Sequence, residues 1–276
     1  MSLGFIRGRR GLVTGAILFV AGLILPWIVY PVFAIDLICF ALVAVAFDLL
    51  LGFAGLLSFG HALFWGGAGY VATILVAKTG APFLAAIAAA VVYATILAVL
   101  VGVVSVRRSG IYFAMITLGI AEIQYFVAYQ LASLTGGENG IQIGSRGHLF
   151  GISLDNDRLY YYLVLVVVAI CTALAIRVVS SPFGAVLAAM RENEPRARSI
   201  GYNTDRFKLA AFVMSGTLAG LAGALFAIGN QLAGLDGVDW HTSGSIVIMT
   251  ILGGIGTIYG PIVGAAVFQS LDFFVS

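Results

Sequence analysis

Long apolar runs with almost no charges dominate this sequence and restrict what it can fold into. Of its 276 residues, 61% are hydrophobic and 9% are charged, whereas about 25% of the residues of a soluble domain are charged. A helix of about 20 apolar residues can cross a bilayer, and the runs are continuous rather than alternating, which argues against a membrane barrel. The segments that meet this criterion are 12–30, 33–51, 61–77, 83–105, 111–133, 159–179, 208–234 and 243–271.

We therefore predict an all-α membrane protein, a polytopic helical bundle of about eight transmembrane helices (range about 8–10), some of them broken or rich in glycine. No linker divides the chain, so residues 1–276 should form one transmembrane domain. The first segment follows a basic start, as the apolar core of a signal peptide does. Its 19 uncharged residues exceed the usual length of such a core, about 7–15 residues, so we interpret it as the first membrane helix. The last segment contains Pro261, so we expect it to bend or split. Cys39 and Cys171 lie in apolar runs and are expected to be core residues rather than a disulfide or metal ligands.

The basic residues are unevenly divided between the two sides of this bundle. With the N-terminus in the cytoplasm, eleven of the fourteen Lys and Arg residues fall in or beside inside loops, and only Lys78, Arg146 and Arg158 fall outside. Cytoplasmic loops carry this excess in membrane proteins. We therefore predict a multi-pass protein with a cytoplasmic N-terminus and a long cytoplasmic loop at 180–207. The bias leaves open an additional pair of half-helices.

The cytoplasmic loop carries the signals of two short helices. Ser181 is an expected N-cap with Pro182 at the first helical position, and Asn193 repeats the signal before a second helix that should end near Gly201. The loop also offers both charge signs to a partner. Two interpretations stand at this point: a docking surface, or a solvated loop whose arginines only fix the topology. The charged residues are Arg191, Glu192, Glu194, Arg196 and Arg198.

Several blocks of the chain resemble the permeases of branched-chain amino acid ABC transporters. They are "GFAGLLSFGHALFWGGAGYVA", "RRSGIYFAMITLGIAEI", "TGGENGI", "SPFGAVLAAMRENEPRARSIGYN", "KLAAFVMSGTLAGLAGALFA" and "ILGGIGTIYGPIVGAA", in the family's order. The resemblance implies a permease subunit in a bacterial-type inner membrane, paired with a second, related permease. It further implies two cytoplasmic ATPase subunits and an extracytoplasmic solute-binding protein as partners.

The resemblance also gives the cytoplasmic loop a role, as the element that couples the permease to an ATPase subunit. Ala197 and Gly201 fit the A-x-x-x-G core of the family's loop signature, whereas Pro195 stands where the pattern prefers alanine. The chain has no G-x-x-x-x-G-K-[ST] motif, so we expect no cofactor in it and ATP to be bound by the partners. The expected coupling residues are Pro182, Gly184, Arg191, Glu192, Glu194, Arg196, Ala197 and Gly201.

Two glycine-rich stretches, "LGFAGLLSFG" at 51–60 and "LGGIGTIYGP" at 252–261, share the pattern L-G-x-x-G. Broken helices of this kind line the substrate path of many transporters, but small residues at intervals of four also serve close helix packing. Both interpretations stay open. The expected residues of a translocation path are Gly52, Gly55, Gly60, His61, Thr117, Glu122, Gly253, Gly254 and Gly256.

Ionisable residues are rare inside the predicted helices. A charge at the position of Glu122, midway along 111–133, costs about 2.5–3.5 kcal/mol, so Glu122 should face protein or water. It could line the path, or it could be a structural group hydrogen-bonded to a neighbouring helix, which we favour. We expect Asp36 and Asp48 to be interfacial and His61 to be a packed hydrogen-bonding group.

These features together predict the permease of an ATP-driven importer for branched-chain or similar hydrophobic amino acids, working by alternating access. It would not be an enzyme and would hold no metal. The net charge of +2 gives no indication of nucleic-acid binding. An ion-gradient-driven secondary transporter, with Glu122 and His61 as coupling residues, is the alternative. Within the ABC interpretation, urea or short amides are alternative substrates.

Overall fold

A computed structural model describes residues 9–149 and 151–275, and these residues are mostly α-helical. Six helical segments are long and apolar enough to cross a membrane, and the first helix has a shorter apolar stretch, Val13–Ile28. The prediction of a polytopic all-α membrane protein is therefore confirmed. The six segments are Pro31–Phe53, His61–Thr79, Phe83–Ser105, Ile111–Gln130, Asp157–Val179 and Thr204–Gly229.

The elements follow one another along the chain with short connections. The helices are α1 (Arg9–Ile28), α2 (Pro31–Asp48), α3 (His61–Ile74), α4 (Phe83–Ser105), α5 (Ile111–Gln130), α6 (Ala132–Thr135), α7 (Asp157–Val179), α8 (Pro182–Glu192), α9 (Glu194–Ser199), α10 (Thr204–Gly229), α11 (Trp240–Gly253) and α12 (Tyr259–Val275). Helices α2 and α3 each end in a π-helical turn, at Leu49–Phe53 and Leu75–Thr79. The strands are β1 (Ile141–Gln142), β2 (His148–Leu149), β3 (Ile152–Ser153) and β4 (Leu232–Ala233).

The last predicted span, 243–271, is not one helix but an antiparallel pair, α11 and α12. The chain turns at 254–258, where Gly254 and Gly256 have φ of +101° and +76°, values that favour glycine. The two helices pack so closely that a Cβ at Gly264 would lie 2.6 Å from the amide nitrogen of Gly253. Pro261 lies in the first turn of α12, where its missing N–H costs no helical hydrogen bond.

Helices α2, α3 and α10 form the centre of the bundle. The most apolar windows of α2 and α10 are 78% and 67% buried, against 28% for α4 and α5. Glycines on α10 permit this packing, since a Cβ at Gly216 would lie 2.8 Å from that of Ala98. Small residues at helix contacts are the usual means of close approach in membranes.

The connections fall on two sides of the bundle. One side, which we call the loop side, carries 54–60, 106–110, 180–203 and 254–258. The opposite side carries 131–149, 151–156 and 230–239. The contacts of Lys78 with the Ser133 carbonyl and of Arg146 with the Gly229 carbonyl place these two residues, both predicted to lie outside, on the opposite side. Which side faces the cytoplasm stays a prediction.

The opposite side is covered by an ordered cap centred on Arg146, which is 3% exposed. Its guanidinium donates to the Gly229 carbonyl at 2.7 Å, lies 2.6 Å from an Asp157 carboxylate oxygen, and sits 5.0 Å above the Tyr160 ring. Strands β1 and β4 pair beside it with Ile141 opposite Ala233. Backbone and side-chain donors, first among them the Arg146 N–H, lower the pKa of Asp155. The loop after α5 is therefore fastened to the end of α10.

Candidate functional site

The loop-side segment 180–203 folds as two short helices, α8 and α9, as the capping signals predict. The Asn193 side chain accepts from the Arg196 N–H at 3.0 Å and so caps α9. Ser181 occupies the predicted N-cap position before Pro182, but its hydroxyl makes no capping bond to α8 and instead donates to the Val178 carbonyl at 2.6 Å. A serine hydroxyl that bonds backward to a carbonyl satisfies the end of the preceding helix instead.

One face of α8 and α9 packs on the bundle and the other is open. Leu187, Met190 and Ala197 are buried, at 1%, 3% and 4% exposure. Glu192 and Arg196 are exposed and form no side-chain hydrogen bond or ion pair with the described residues. The segment therefore presents charged side chains on a surface that apolar contacts hold in place.

Glu194 fastens α9 to the start of α10. Its carboxylate lies 2.6 Å from Lys208 Nζ and 3.4 Å from Arg198 Nη2. The Lys208 side chain is only 5% exposed. Burial alone would raise the pKa of Glu194, but the hydrogen bond and charge of Lys208, with Thr204 and Arg198, lower it overall. Glu194 is thus a structural tether as well as a charged residue of the loop.

The remaining predicted coupling residues are explained by backbone geometry. Pro182 opens α8 at its first position. Gly184 is buried against the end of α7, and a Cβ there would lie 2.7 Å from the Cα of Val179. Gly201 has φ +103° and open space around it, which suits the turn after α9.

The two glycine stretches meet, and we call residues 49–56 and 253–258 together the glycine junction. A Cβ at Gly52 would lie 2.6 Å from the Gly256 amide nitrogen. Arg191, in the last turn of α8, donates to the Gly52 carbonyl. A cavity of about 380 Å3 adjoins this point and is lined by Gly55, Arg191 and Lys208 among others.

Asp48 joins the two halves of the glycine junction. Its two carboxylate oxygens accept from the Gly256 and Ile258 N–H groups at 2.6 and 3.1 Å. The expectation that Asp48 is interfacial is wrong, because it is fully buried. A carboxylate satisfies several backbone N–H groups that a sharp turn leaves unpaired, which explains why an acidic residue lies here. Asp36 is half-buried and accepts from the Asn230 amide at 2.6 Å.

Gly60, His61 and Thr117 form a second cluster deeper in the bundle. A Cβ at Gly60 would lie 2.8 Å from the Thr117 carbonyl oxygen, and the Phe59 N–H donates to the Thr117 hydroxyl at 3.2 Å. His61 is fully buried, with Nε2 2.9 Å from Ser215 Oγ. These contacts are those of close packing. His61 is a packed, hydrogen-bonded histidine, as expected.

Glu122 lies apart from both groups. It is exposed on α5, among the outward-facing side chains of Met115, Ile123 and Phe126. Glu122 forms no side-chain hydrogen bond within residues 9–149 and 151–275, so the favoured interpretation, a hydrogen bond to a neighbouring helix, finds no partner within this part of the chain. The structure therefore brings Gly52, Gly55, Gly253, Gly254 and Gly256 together at the junction, Gly60 with His61 and Thr117, and leaves Glu122 on the outside.

Sequence reasoning missed three residues that organise the site: Asp48, Lys208 and Ser215. An acidic residue four positions before Gly52, at the end of an apolar run, was a usable signal for Asp48. Lys208 and Ser215 act only through contacts with distant parts of the chain, which no local pattern shows. Within the described residues, no three His, Cys, Asp or Glu side chains gather as metal ligands do.

Comparison with known proteins gives one family. A model described as the permease component of branched-chain amino acid transport systems matches residues 31–274. The chain is 27% identical over 249 residues to the high-affinity branched-chain amino acid transport system permease protein LivM of Escherichia coli K12, over 82% of this chain and 59% of that relative. LivM of Salmonella typhimurium LT2 matches with the same identity and coverage.

A second kind of relative matches a shorter part. The autoinducer 2 import system permease protein LsrC of Yersinia enterocolitica is 33% identical over 113 residues, which are 38% of this chain and 31% of that protein. The chain thus spans 59% of the length of the LivM relatives. No solved structure matches it.

Proposed function

The chain belongs to the family of permease components of branched-chain amino acid transport systems, and from this premise we propose that it is the membrane permease subunit of an ATP-driven importer. Its solutes would be branched-chain or similar hydrophobic amino acids, delivered by an extracytoplasmic binding protein. It would work in a bacterial inner membrane with a second, related permease and two cytoplasmic ATPase subunits. The family consists of transport components rather than enzymes.

The observation that carries this proposal is the built surface of α8 and α9. Leu187, Met190 and Ala197 hold the two helices against the bundle, while Glu192 and Arg196 are directed away from it. Loops are usually less ordered than the helices that they connect. A loop that instead folds into two short helices and presents charged side chains on them fits a docking role. An ATPase subunit is the partner that the family membership favours.

The position of Glu122 supports a second permease subunit. A carboxylate facing lipid at mid-span costs about 2.5–3.5 kcal/mol, and Glu122 faces away from its own chain. A second permease packed on α5, with a wet path between the two, would give the carboxylate water or a polar partner. The exposed side chains of Met115 and Phe126 beside it would supply apolar contacts to that subunit or to an aliphatic solute.

The substrate class rests on the LivM relatives, whose names give branched-chain amino acids. LsrC, named for autoinducer 2, matches a smaller part of the chain. Urea and short amides are further candidates. Competition of unlabelled leucine, isoleucine, valine, urea and acetamide against labelled leucine in the reconstituted system would rank them, and leucine, isoleucine and valine should compete best.

An ion-gradient-driven transporter is the alternative that Glu122 allows, because an exposed carboxylate could exchange protons. His61 does not favour it: the ring is fully buried and bonded to Ser215. The alternative predicts transport without any ATPase subunit.

The test is co-purification of ATPase subunits with the tagged chain, expressed with its neighbouring genes. Gly201→Trp and the double variant Glu192→Arg, Arg196→Glu change the docking surface without touching the Glu194–Lys208 pair. Glu138→Arg, an equally exposed charge reversal on the opposite side, is the matched control. The proposal predicts that the first two variants lose the ATPase subunits and the control keeps them. A wild-type chain that purifies without ATPases and still transports solute would refute it.

A further inference from the structure

Besides the apolar contacts of Leu187, Met190 and Ala197, two charged side chains fasten α8 and α9, the docking helices, to the bundle. Glu194 in α9 reaches Lys208 in α10, and Arg191 at the end of α8 reaches the Gly52 carbonyl. Of these two polar contacts, only the second leads to the glycine junction. Arg191 is thus the polar link between α8 and the broken helices.

Arg191 fits its position because two glycines make room for it. A Cβ at Gly55 would lie 3.0 Å from Arg191 Cγ, and a Cβ at Gly256 would lie 3.4 Å from Arg191 Nη1. The side chain thus passes between the two glycine stretches with its stem on one and its guanidinium beside the other. The five donors of a guanidinium suit it to carbonyl groups at a helix end.

The two halves of the glycine junction beneath Arg191 are joined by direct contacts. Gly52 lies one helical turn after Asp48, and Asp48 holds the 254–258 turn through the Gly256 and Ile258 N–H groups at 2.6 and 3.1 Å. The Gly52 carbonyl oxygen is itself 3.2 Å from the Cβ position of Gly256. A displacement of Gly52 must therefore displace both the end of α2 and the turn between α11 and α12.

We propose that Arg191 is the positioning residue through which the docking helices move the glycine junction. This inference rests on the proposed function, since it assigns the step between ATPase docking and the change of the transport path. Arg191 is well suited to it because the residue as a whole stays exposed on the loop side while its guanidinium is engaged with the junction. Glu194 and Lys208 hold α9 against α10.

The test compares Arg191→Ala with wild type in the complete reconstituted transporter. Arg191→Ala should retain the ATPase subunits and ATP hydrolysis but lower transport per ATP hydrolysed by about 10-fold or more, the effect that loss of one hydrogen bond from a charged donor has on an equilibrium. Arg191→Lys, which keeps the charge and a donor, should recover part of that loss. Full transport in Arg191→Ala, or release of the ATPase subunits by it, would overturn the proposal.

Amide hydrogen exchange gives a second measurement that needs no partner. In the chain alone, Arg191→Ala should speed exchange in 49–60, whereas Arg196→Ala on the same loop should not, because Arg196 has no side-chain contact with the junction. Equal exchange in both variants would overturn the contact. If the wild-type chain bound no ATPase while this exchange difference persisted, the proposed function would fail and the assigned transmission with it, and the contact itself would stand.

Discussion

The conservative replacement Asp48→Asn tests whether the buried carboxylate holds the glycine junction together. The two oxygens of Asp48 accept from two different backbone N–H groups, those of Gly256 and Ile258. An asparagine side chain has one acceptor oxygen, and its amide nitrogen would face the second N–H group. One buried backbone donor is then left without an acceptor.

The free energy of unfolding that Asp48→Asn should lose follows from this one unsatisfied donor. Leaving one buried donor unsatisfied costs about 1–3 kcal/mol. For a chain of this size we expect the midpoint of thermal unfolding to fall by about 2–12 °C. The assay follows the reaction of a thiol-specific fluorescent dye in detergent, because Cys39 and Cys171 are free and buried and react only when the bundle opens.

Asp36→Asn is the matched control, because it is the same replacement in the same helix. Asp36 accepts from one donor, the Asn230 side-chain amide at 2.6 Å, and an asparagine there keeps an acceptor for it. We expect a change below about 1 kcal/mol. Equal shifts in the two variants, or an unchanged midpoint in Asp48→Asn, would show that the Asp48 carboxylate does not hold the turn at 254–258.

Three further predictions use the same assay. Gly52→Ala should destabilise the chain and impair transport, since its Cβ would lie 2.6 Å from the Gly256 nitrogen, whereas Gly244→Ala, with open space around it, should be neutral; equal effects would contradict the close approach. Arg146→Met should cost at least about 2 kcal/mol, because it breaks a pair in which the arginine is buried, and more than Arg158→Met, whose exposed contact with the Trp27 ring is worth about 0.5–1 kcal/mol; the reverse order would contradict the cap. The pKa of Glu194 is lowered below its ordinary value of 4.5. The contribution of Glu194 to the free energy of unfolding should therefore be complete above pH 4.5 and be lost as the pH falls through the lowered pKa. An unfolding midpoint with the same pH dependence in Glu194→Gln would exclude this contribution.

Local sequence patterns predict much of the fold. Apolar runs predict the long helices, and Asn193 predicts the start of α9 because a side-chain cap acts within three residues. The division of 243–271 into α11 and α12 was foreseen only as a bend or split at Pro261. The glycines at 254 and 256 set the turn, which lies before the proline.

The site was predictable only in part, because its contacts join distant residues. The glycine patterns at 51–60 and 252–261 were singled out, but their meeting depends on a contact across about 200 residues of chain. The burial of Asp48 and the reach of Arg191 follow from that contact. The surroundings of Glu122 were not predictable for another reason. Glu122 faces away from its own chain, so no pattern within the sequence specifies what lies around it.

We propose that ATP hydrolysis by partner subunits drives transport through this chain. Proteoliposomes that hold the chain, its partner permease, the ATPase subunits and the binding protein allow a direct measurement of labelled leucine uptake. We expect uptake that requires ATP and persists when ionophores abolish all ion gradients. Uptake without ATP that follows an imposed proton or sodium gradient would contradict it.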